Sequence, residues 1–228
     1  MDFSHSTKTQ ENLTRVNDFI AEHIAPIEAE VYEFSHALNS HGDWHNWQLH
    51  PQVEALKKQA REAGLANLFL PDDKLGQGLT TLEYAPLAEA MGHYSFSPEI
   101  FNCNAPDTGN MEVLYHFGSP QQKTQWLTPL LAGEIRSVFG MTEPQVASSD
   151  ATNMEARIDF EGDEIIINGT KWWSTGLGHP NAKVIIFMGL SNPENDRHAQ
   201  HSMVLVPVDS AGLTVKRMLT AYGDYDAP

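Results

Sequence analysis

The chain has 228 residues and carries 14 Lys and Arg against 30 Asp and Glu, which gives a formal net charge of -16. Such an acidic surface repels phosphate backbones and anionic lipid, so the composition disfavours nucleic-acid and membrane-surface roles. With a single cysteine, Cys103, the chain cannot form an internal disulfide, and a reducing compartment is expected. The sequence also lacks an apolar stretch near the ~20 residues that span a bilayer.

The first part of the chain carries helical patterns. Apolar residues recur every three or four positions from Leu13 to Phe34, which predicts an amphipathic helix that Pro26 kinks or splits. A helix from about Thr80 to Met91 is predicted by a capping threonine at its start. Further helical segments are predicted at 52–63, at 95–117 with breaks near Pro98 and Pro106, and at 121–132.

After Gly133 the pattern changes to short runs rich in Val, Ile and Phe, separated by turn signals. The predicted strands are 137–141, 156–160, 164–168, 170–174, 184–189, 203–208 and 213–218. Because no helical pattern lies between these runs, they predict an antiparallel sandwich or barrel. The expected fold is therefore α+β, with an all-helical domain over residues 1–135 followed by a β domain over residues 136–228.

Two polar segments of the β region are candidates for one binding site. Residues 139–150 read FGMTEPQVASSD, a strand that runs into a sharp turn and a series of small hydroxyls. About twenty residues later, residues 171–176 read KWWSTG, which we predict as a strand with aromatic bulk followed by two hydroxyls. Together they could supply a stacking ring and hydrogen-bond donors to a planar polar ligand. The alternatives are an ordinary Ser/Thr-rich turn and tryptophans that belong to the core.

Other chemistry-bearing residues favour structural roles. His41 and His45 are four residues apart, but Gly42 argues against a helix there and the neighbouring sequence supplies no complete ligand set, so packing or surface histidines are preferred. Cys103 lacks an identifiable base, which disfavours a catalytic thiol. Glu143 lies beside the hydroxyls, yet we do not assign it as a catalytic base, and it could be a solvated turn residue.

The motif MTEP, the run ending in Ser-Asp, and the later NGTKWWST resemble the flavin-facing signature of the acyl-CoA dehydrogenases. The resemblance extends over about residues 11–220, because residues 64–84 and 117–134 are also similar to this family. The segments QVASSDATN and FNCNAPDTGNMEVL resemble most closely the subgroup that includes family members 10 and 11.

The resemblance implies an FAD site and a role for each matching residue. Trp173 would lie against the isoalloxazine ring, Thr142 and Thr175 would hydrogen-bond its polar edge, and Ser149 would meet the pyrophosphate side and the CoA ester. The run after TEP is longer than usual in the family and lacks glycine, so both Ser148 and Ser149 stay candidates. The full set of implied cofactor residues is Phe139, Gly140, Met141, Thr142, Ser148, Ser149, Trp173, Ser174 and Thr175.

The implied reaction is α,β-dehydrogenation of an acyl-CoA, as in fatty-acid β-oxidation, with hydride transfer to FAD and electron-transfer flavoprotein as the acceptor. In this family a C-terminal four-helix domain supplies the catalytic carboxylate, and nothing here matches it. We therefore expect a truncated chain that is inactive alone, and a homo-oligomer when the protein is full length. The alternatives are a flavin oxidase and a non-catalytic short form that binds acyl-CoA or a partner subunit. The absence of an Arg-rich leader favours the cytoplasm.

Overall fold

The computed structural model describes residues 3–225 and Pro228. Helices occupy the first part of the chain, as predicted, and the first strand begins at Arg136. The α+β class, with a helical domain before a β-sheet domain, is confirmed. The helices are α1 (Thr7–Phe19), α2 (Glu28–Asn39), α3 (Pro51–Glu62), α4 (Thr81–Met91), α5 (Ser97–Ile100), α6 (Asp107–Phe117), α7 (Pro120–Gln122) and α8 (Thr128–Leu131).

The long amphipathic pattern is split where proline predicted a break. A π-helical turn (Ile20–Ile24) and a 3-10 turn (Ala25–Ile27) separate α1 from α2, and Pro26 lies within the second of them. Proline has no N–H to donate and its ring crowds the preceding turn, which favours a break at Pro26, although α4 accommodates Pro86 within its length. Lys123–Leu127 forms another π-helical turn, between α7 and α8.

The start of α4 shows how the sequence sets a helix end. The hydroxyl of Thr80 accepts a hydrogen bond from the Glu83 N–H at 3.3 Å, and the Glu83 carboxylate accepts from the Thr80 N–H at 2.9 Å. This reciprocal capping box satisfies donors that the first helical turn leaves unpaired. The helices then enclose one large apolar core, whose fully buried members include Leu68, Leu87 and Phe101.

Five strands form the main sheet: β1 (Arg136–Gly140), β2 (Arg157–Glu161), β3 (Glu164–Asn168), β4 (Ala182–Leu190) and β5 (His201–Pro207). Strand β4 is central. Strand β5 pairs with one edge of β4, and β1 pairs with the opposite edge. Strand β2 also pairs with β4, at the C-terminal end of β4, through Arg157 and Leu190. A separate two-stranded ladder joins β6 (Thr220–Ala221) and β7 (Asp224–Tyr225).

The expectation of purely antiparallel pairing was wrong, because β1 and β4 are parallel whereas β2 with β3 and β4 with β5 are antiparallel. Residue alternation reveals which face of a strand is buried but carries no information on the direction of its partner. The predicted strands at 170–174 and 213–218 were also wrong, since both segments are irregular. In the described residues, no helix has the length and apolar character needed to cross a membrane.

Buried charges join the helices to the sheet. The Arg136 guanidinium on β1 binds the carboxylates of Glu99 on α5, at 2.6 Å, and of Asp107 on α6. The Asp107 carboxylate also accepts the Ser137 N–H at 2.6 Å, and Lys57 on α3 lies 3.3 Å from Glu99. We refer to Lys57, Glu99, Asp107, Arg136 and His179 as the interface ion cluster. It fixes the start of β1 against α5 and α6.

Candidate functional site

The two polar segments predicted to share a site do meet in the structure. They line a depression of about 310 Å³ that we call the ring depression. Its opposite side comes from the helical part of the chain, at the turn before α6. The lining residues are Ala105, Pro106, Phe139, Met141, Thr142, Trp173 and Thr175.

Direct hydrogen bonds hold the two segments together. The Trp172 N–H donates to the Thr142 carbonyl at 3.0 Å, and the Thr142 hydroxyl donates to the Trp172 carbonyl at 2.9 Å. The hydroxyl therefore already uses its only hydrogen. While this bond persists, Thr142 can accept a hydrogen bond from a ligand but cannot donate one.

Trp173 departs from the strand conformation that the sequence predicted. Its φ is 51°, in the left-handed region, which costs about 1–2 kcal/mol for a residue with a Cβ. Trp172 and Trp173 are both accessible, at 39% and 53% of their maximum. The interpretation of these tryptophans as ordinary core residues is therefore wrong. The Trp173 indole presents apolar surface to the ring depression.

Glu143 is neither solvated nor free. It is buried, its carboxylate lies 2.7 Å from the Lys171 ammonium, and it accepts the N–H groups of Glu155 at 2.8 Å and Ala156 at 3.0 Å. Burial raises the pKa of Glu143, but the hydrogen bonds from Lys171 and the two backbone N–H groups outweigh it and hold the pKa below its usual value. A carboxylate with a lowered pKa is a weak base, which agrees with excluding it as the catalytic base.

The hydroxyls after the turn differ in access. Ser148 is buried, and its hydroxyl accepts the Glu143 N–H at 2.5 Å, which closes the turn from within. Ser149 is exposed. A ligand can therefore reach Ser149 but not Ser148 in this conformation, and neither lines the ring depression.

Gly140 and Ser174 support the site from outside the lining. A Cβ on the buried Gly140 would lie 3.3 Å from the Ile185 side chain, so the small residue allows β1 and β4 to pack closely. The Ser174 carbonyl accepts the Leu177 N–H at 3.2 Å and begins the turn that leads into β4. Their predicted contacts with a cofactor stay predictions.

Sequence reasoning missed Ala105 and Pro106, which lie on the helical side of the ring depression. The sequence predicted only that the helical segment breaks near Pro106. A proline break does not reveal which residues the resulting turn contacts. A second depression, of about 430 Å³, shares Ala105, Pro106 and Phe139 with the first. It continues along Gly109 and Val113 of α6 to Met203 of β5.

One member of the interface ion cluster, Asp107, directly follows this turn. His179 accepts the Asn181 N–H on Nδ1 at 3.0 Å and places Nε2 3.3 Å from the Glu99 carboxylate. Burial raises the pKa of Glu99, whereas His179, Arg136 and Lys57 lower it and prevail. Burial lowers the pKa of Arg136, but Glu99 and Asp107 reverse that effect and raise it.

The remaining candidates have structural environments. Burial raises the pKa of the Cys103 thiol to about 11, although backbone hydrogen bonds oppose the shift, so little thiolate exists near neutral pH. His41 and His45 are both exposed. Over residues 3–225 and Pro228, no three His, Cys, Asp or Glu side chains cluster as a metal site would require.

Comparison with known proteins identifies the family. The model of the acyl-CoA dehydrogenase N-terminal domain matches residues 6–134, and that of the middle domain matches residues 138–228. The chain belongs to the acyl-CoA dehydrogenase family. Mouse acyl-CoA dehydrogenase family member 11 is 50% identical over 227 residues, and mouse family member 10 is 50% identical over 208 residues, so the predicted subgroup is confirmed.

Other relatives extend the likeness to bacteria. The Mycobacterium tuberculosis protein named Probable acyl-CoA dehydrogenase FadE2 is 47% identical over 99% of this chain. A solved structure from Mycobacterium abscessus, named as an acyl-CoA dehydrogenase, superimposes with a TM-score of 0.93 at 55% identity, over 99% of this chain and 56% of its own. A glutaryl-CoA dehydrogenase from Mycobacterium smegmatis in complex with FADH2 shares the fold, with a TM-score of 0.67 at 22% identity, over 92% of this chain and 47% of its own.

This acyl-CoA dehydrogenase chain is short beside its relatives. It spans 28% of mouse family member 11, 20% of mouse family member 10 and 54% of FadE2.

Proposed function

We propose that this chain forms the helical and β parts of an FAD-dependent acyl-CoA dehydrogenase and that the ring depression takes the isoalloxazine ring of FAD. The accessible Trp173 indole, held beside Met141, Thr142 and Thr175 in one concave surface, is the observation that carries the proposal. Flat apolar surface with polar atoms at its edge suits a fused heterocycle that is apolar on its faces and polar along its rim.

The residues present fit one side of such a ring. Trp173 would cover a face and exclude water from it, while Phe139 and Met141 would line the approach. The exposed Thr175 hydroxyl is available to donate to the polar rim, and Thr142 is available to accept. The chemistry that a bound flavin supplies is acceptance of a hydride from the β carbon of an acyl thioester.

The substrate we propose is an acyl-CoA whose exposed polar part passes Ser149. Removal of the α proton needs a base, yet no carboxylate lines either depression among the described residues, and Glu143 is held in its ion pair. The base therefore has to come from outside this lining, and we propose that the chain alone is inactive. We further propose electron-transfer flavoprotein as the acceptor, homo-oligomers of the enzyme, and a cytoplasmic location.

Titration of the purified chain with FAD tests the proposal. Visible absorbance and tryptophan fluorescence report binding, and Trp173→Ala removes the platform, whereas Trp44→Ala changes a tryptophan outside the depression. Loss of one stacked aromatic ring typically costs about 1–3 kcal/mol, so Trp173→Ala should weaken binding about 5- to 150-fold. The control should bind like the original chain. A folded chain that binds acyl-CoA but not FAD would instead support the non-catalytic short form.

A further inference from the structure

The backbone of Trp173 is strained, and strain of this kind persists only where neighbouring contacts determine the conformation. The angle φ of Trp173 describes rotation relative to the peptide plane that links it to Trp172. The Thr142 hydroxyl binds the Trp172 carbonyl, which is part of this plane, at 2.9 Å. This hydrogen bond therefore holds the peptide plane that precedes Trp173.

Lys171 holds the residues on both sides of Thr142. Its ammonium donates to the Met141 carbonyl at 2.7 Å and to the Glu143 carboxylate at 2.7 Å. The Lys171 side chain is buried, with the ammonium 4.9 Å from the centre of the Phe187 ring on β4. One cation thus joins the segment after β1 to the segment that carries Trp173.

Glu143 anchors this arrangement to the rest of the domain. Its carboxylate accepts the N–H groups of Glu155 and Ala156, next to the start of β2, and its own N–H is bound by Ser148. Together with Lys171, it connects three segments of the β region beside the strained residue. Buried charges with all partners in place can specify a single local geometry.

We propose that Glu143 and Lys171 form a positioning pair that, through Thr142, holds Trp173 in its left-handed conformation and fixes the indole against the ring site. The role of this positioning in flavin binding rests on the proposed function. That Glu143 and Lys171 hold the Trp173 conformation is a claim about the ligand-free chain, and it can be tested separately from flavin binding.

Hydrogen exchange and indole N–H resonances in the ligand-free chain, followed by NMR, test the geometry. Lys171→Met removes the ammonium at similar size, and Lys171→Met with Glu143→Gln removes both charges so that no buried charge is left unpaired. We expect the Trp172 amide to exchange at least tenfold faster and the Trp173 indole signal to shift or double in both. Lys171→Arg should restore much of the protection, and Lys58→Met, in an exposed ion pair with Glu62, should change neither signal.

If the single variant does not fold, the double variant decides. A folded double variant with Trp172 exchange within threefold of the original and an unmoved Trp173 indole signal would overturn the proposal.

FAD affinity gives a second readout that a merely structural role would not produce. If Lys171 acts through Trp173, Lys171→Met should weaken FAD binding at least fivefold in the original chain but less than twofold when Trp173 is already alanine. Equal losses in both backgrounds would contradict the proposal. Should the chain bind no FAD, the proposed cofactor site fails, and the ligand-free exchange measurement still decides the positioning role.

Discussion

Replacing Arg136 with methionine should strongly destabilise the chain, because this guanidinium neutralises the buried carboxylate of Asp107 and the largely enclosed carboxylate of Glu99. Arg136 is 6% exposed and Asp107 is 1% exposed, so water cannot take over the lost interactions. Methionine retains apolar volume, and the change therefore isolates the charge. Asp107 would lose its cation, while Glu99 would keep Lys57 and His179.

Breaking a buried ion pair by removing one partner typically costs about 3–5 kcal/mol. The two contacts of Arg136 place this variant within that range, a large part of the roughly 5–15 kcal/mol that stabilises a typical domain. The matched control is Arg157→Met, whose pair with Asp159 spans 3.1 Å but is about half exposed on both sides. Exposed pairs contribute about 0–1 kcal/mol.

Urea unfolding at pH 7, followed by circular dichroism, measures both variants. With a urea slope of about 2 kcal/mol per molar, Arg136→Met should lower the midpoint by about 1.5–2.5 M, and the control by less than about 0.5 M. A loss below 1 kcal/mol for Arg136→Met, with an unchanged slope, would refute the view that this cluster holds the sheet to the helices.

The same variant has a predicted pH dependence. Because the folded-state pKa of Glu99 is lowered, its ionised form stabilises the fold above the unfolded pKa of about 4.3, and that contribution is lost as the pH falls through the folded pKa. Removing Arg136 should bring the two pKa values closer together. The stability difference between original and variant should therefore shrink from pH 7 to pH 3, and a difference that grows on acidification would contradict this assignment.

Two further predictions concern packing and reactivity. Gly178→Ala should lower the free energy of unfolding by about 1–3 kcal/mol, because the new Cβ would lie 2.4 Å from the buried Trp47 ring. Gly109→Ala on α6 has open space around its Cβ and should be neutral or stabilising. Comparison of the melting temperatures of the two variants checks this. With a pKa of about 11, Cys103 should react with Ellman's reagent at pH 8 at least 100-fold more slowly when folded than in urea, and fast labelling of the folded chain would show that the thiol is accessible.

Local signals in the sequence predicted most of the helices. Pro26 split the first amphipathic pattern and Thr80 capped α4, because both effects depend on residues close in sequence. The runs that became β2 and β3 were equally clear, since their hairpin pairing is local. The change of pattern after Gly133 gave the α+β order, and family resemblance added the subgroup.

What the sequence missed depends on distant contacts. Residues 170–174 have the composition of a strand, but the hydrogen bonds to Thr142 and the strained Trp173 give them an irregular path. The parallel pairing of β1 with β4 likewise follows from the route of the chain between them. From sequence alone, Glu143 resembles a solvated turn residue, because its ion pair with Lys171 joins residues that are distant in sequence.

The sequence predicted the side of the ring depression formed by the β region but not the side formed by the helical region. Phe139, Met141, Thr142, Trp173 and Thr175 line the ring depression, as the shared motif suggested for a common site. Ala105 and Pro106 reach it from a helical turn that is far away in sequence. Ser148 is buried and accepts the Glu143 N–H, an interaction that residue type alone does not reveal.

The most direct test of the central claim is to map FAD binding on the chain by amide and indole NMR shifts during a titration. We predict the largest changes at Met141, Thr142, Trp173 and Thr175, with the β2–β3 hairpin around Phe160 unaffected. Saturable binding with this pattern would place the flavin ring in the ring depression. Shifts centred elsewhere, or an unchanged FAD affinity after Trp173→Ala, would contradict the account.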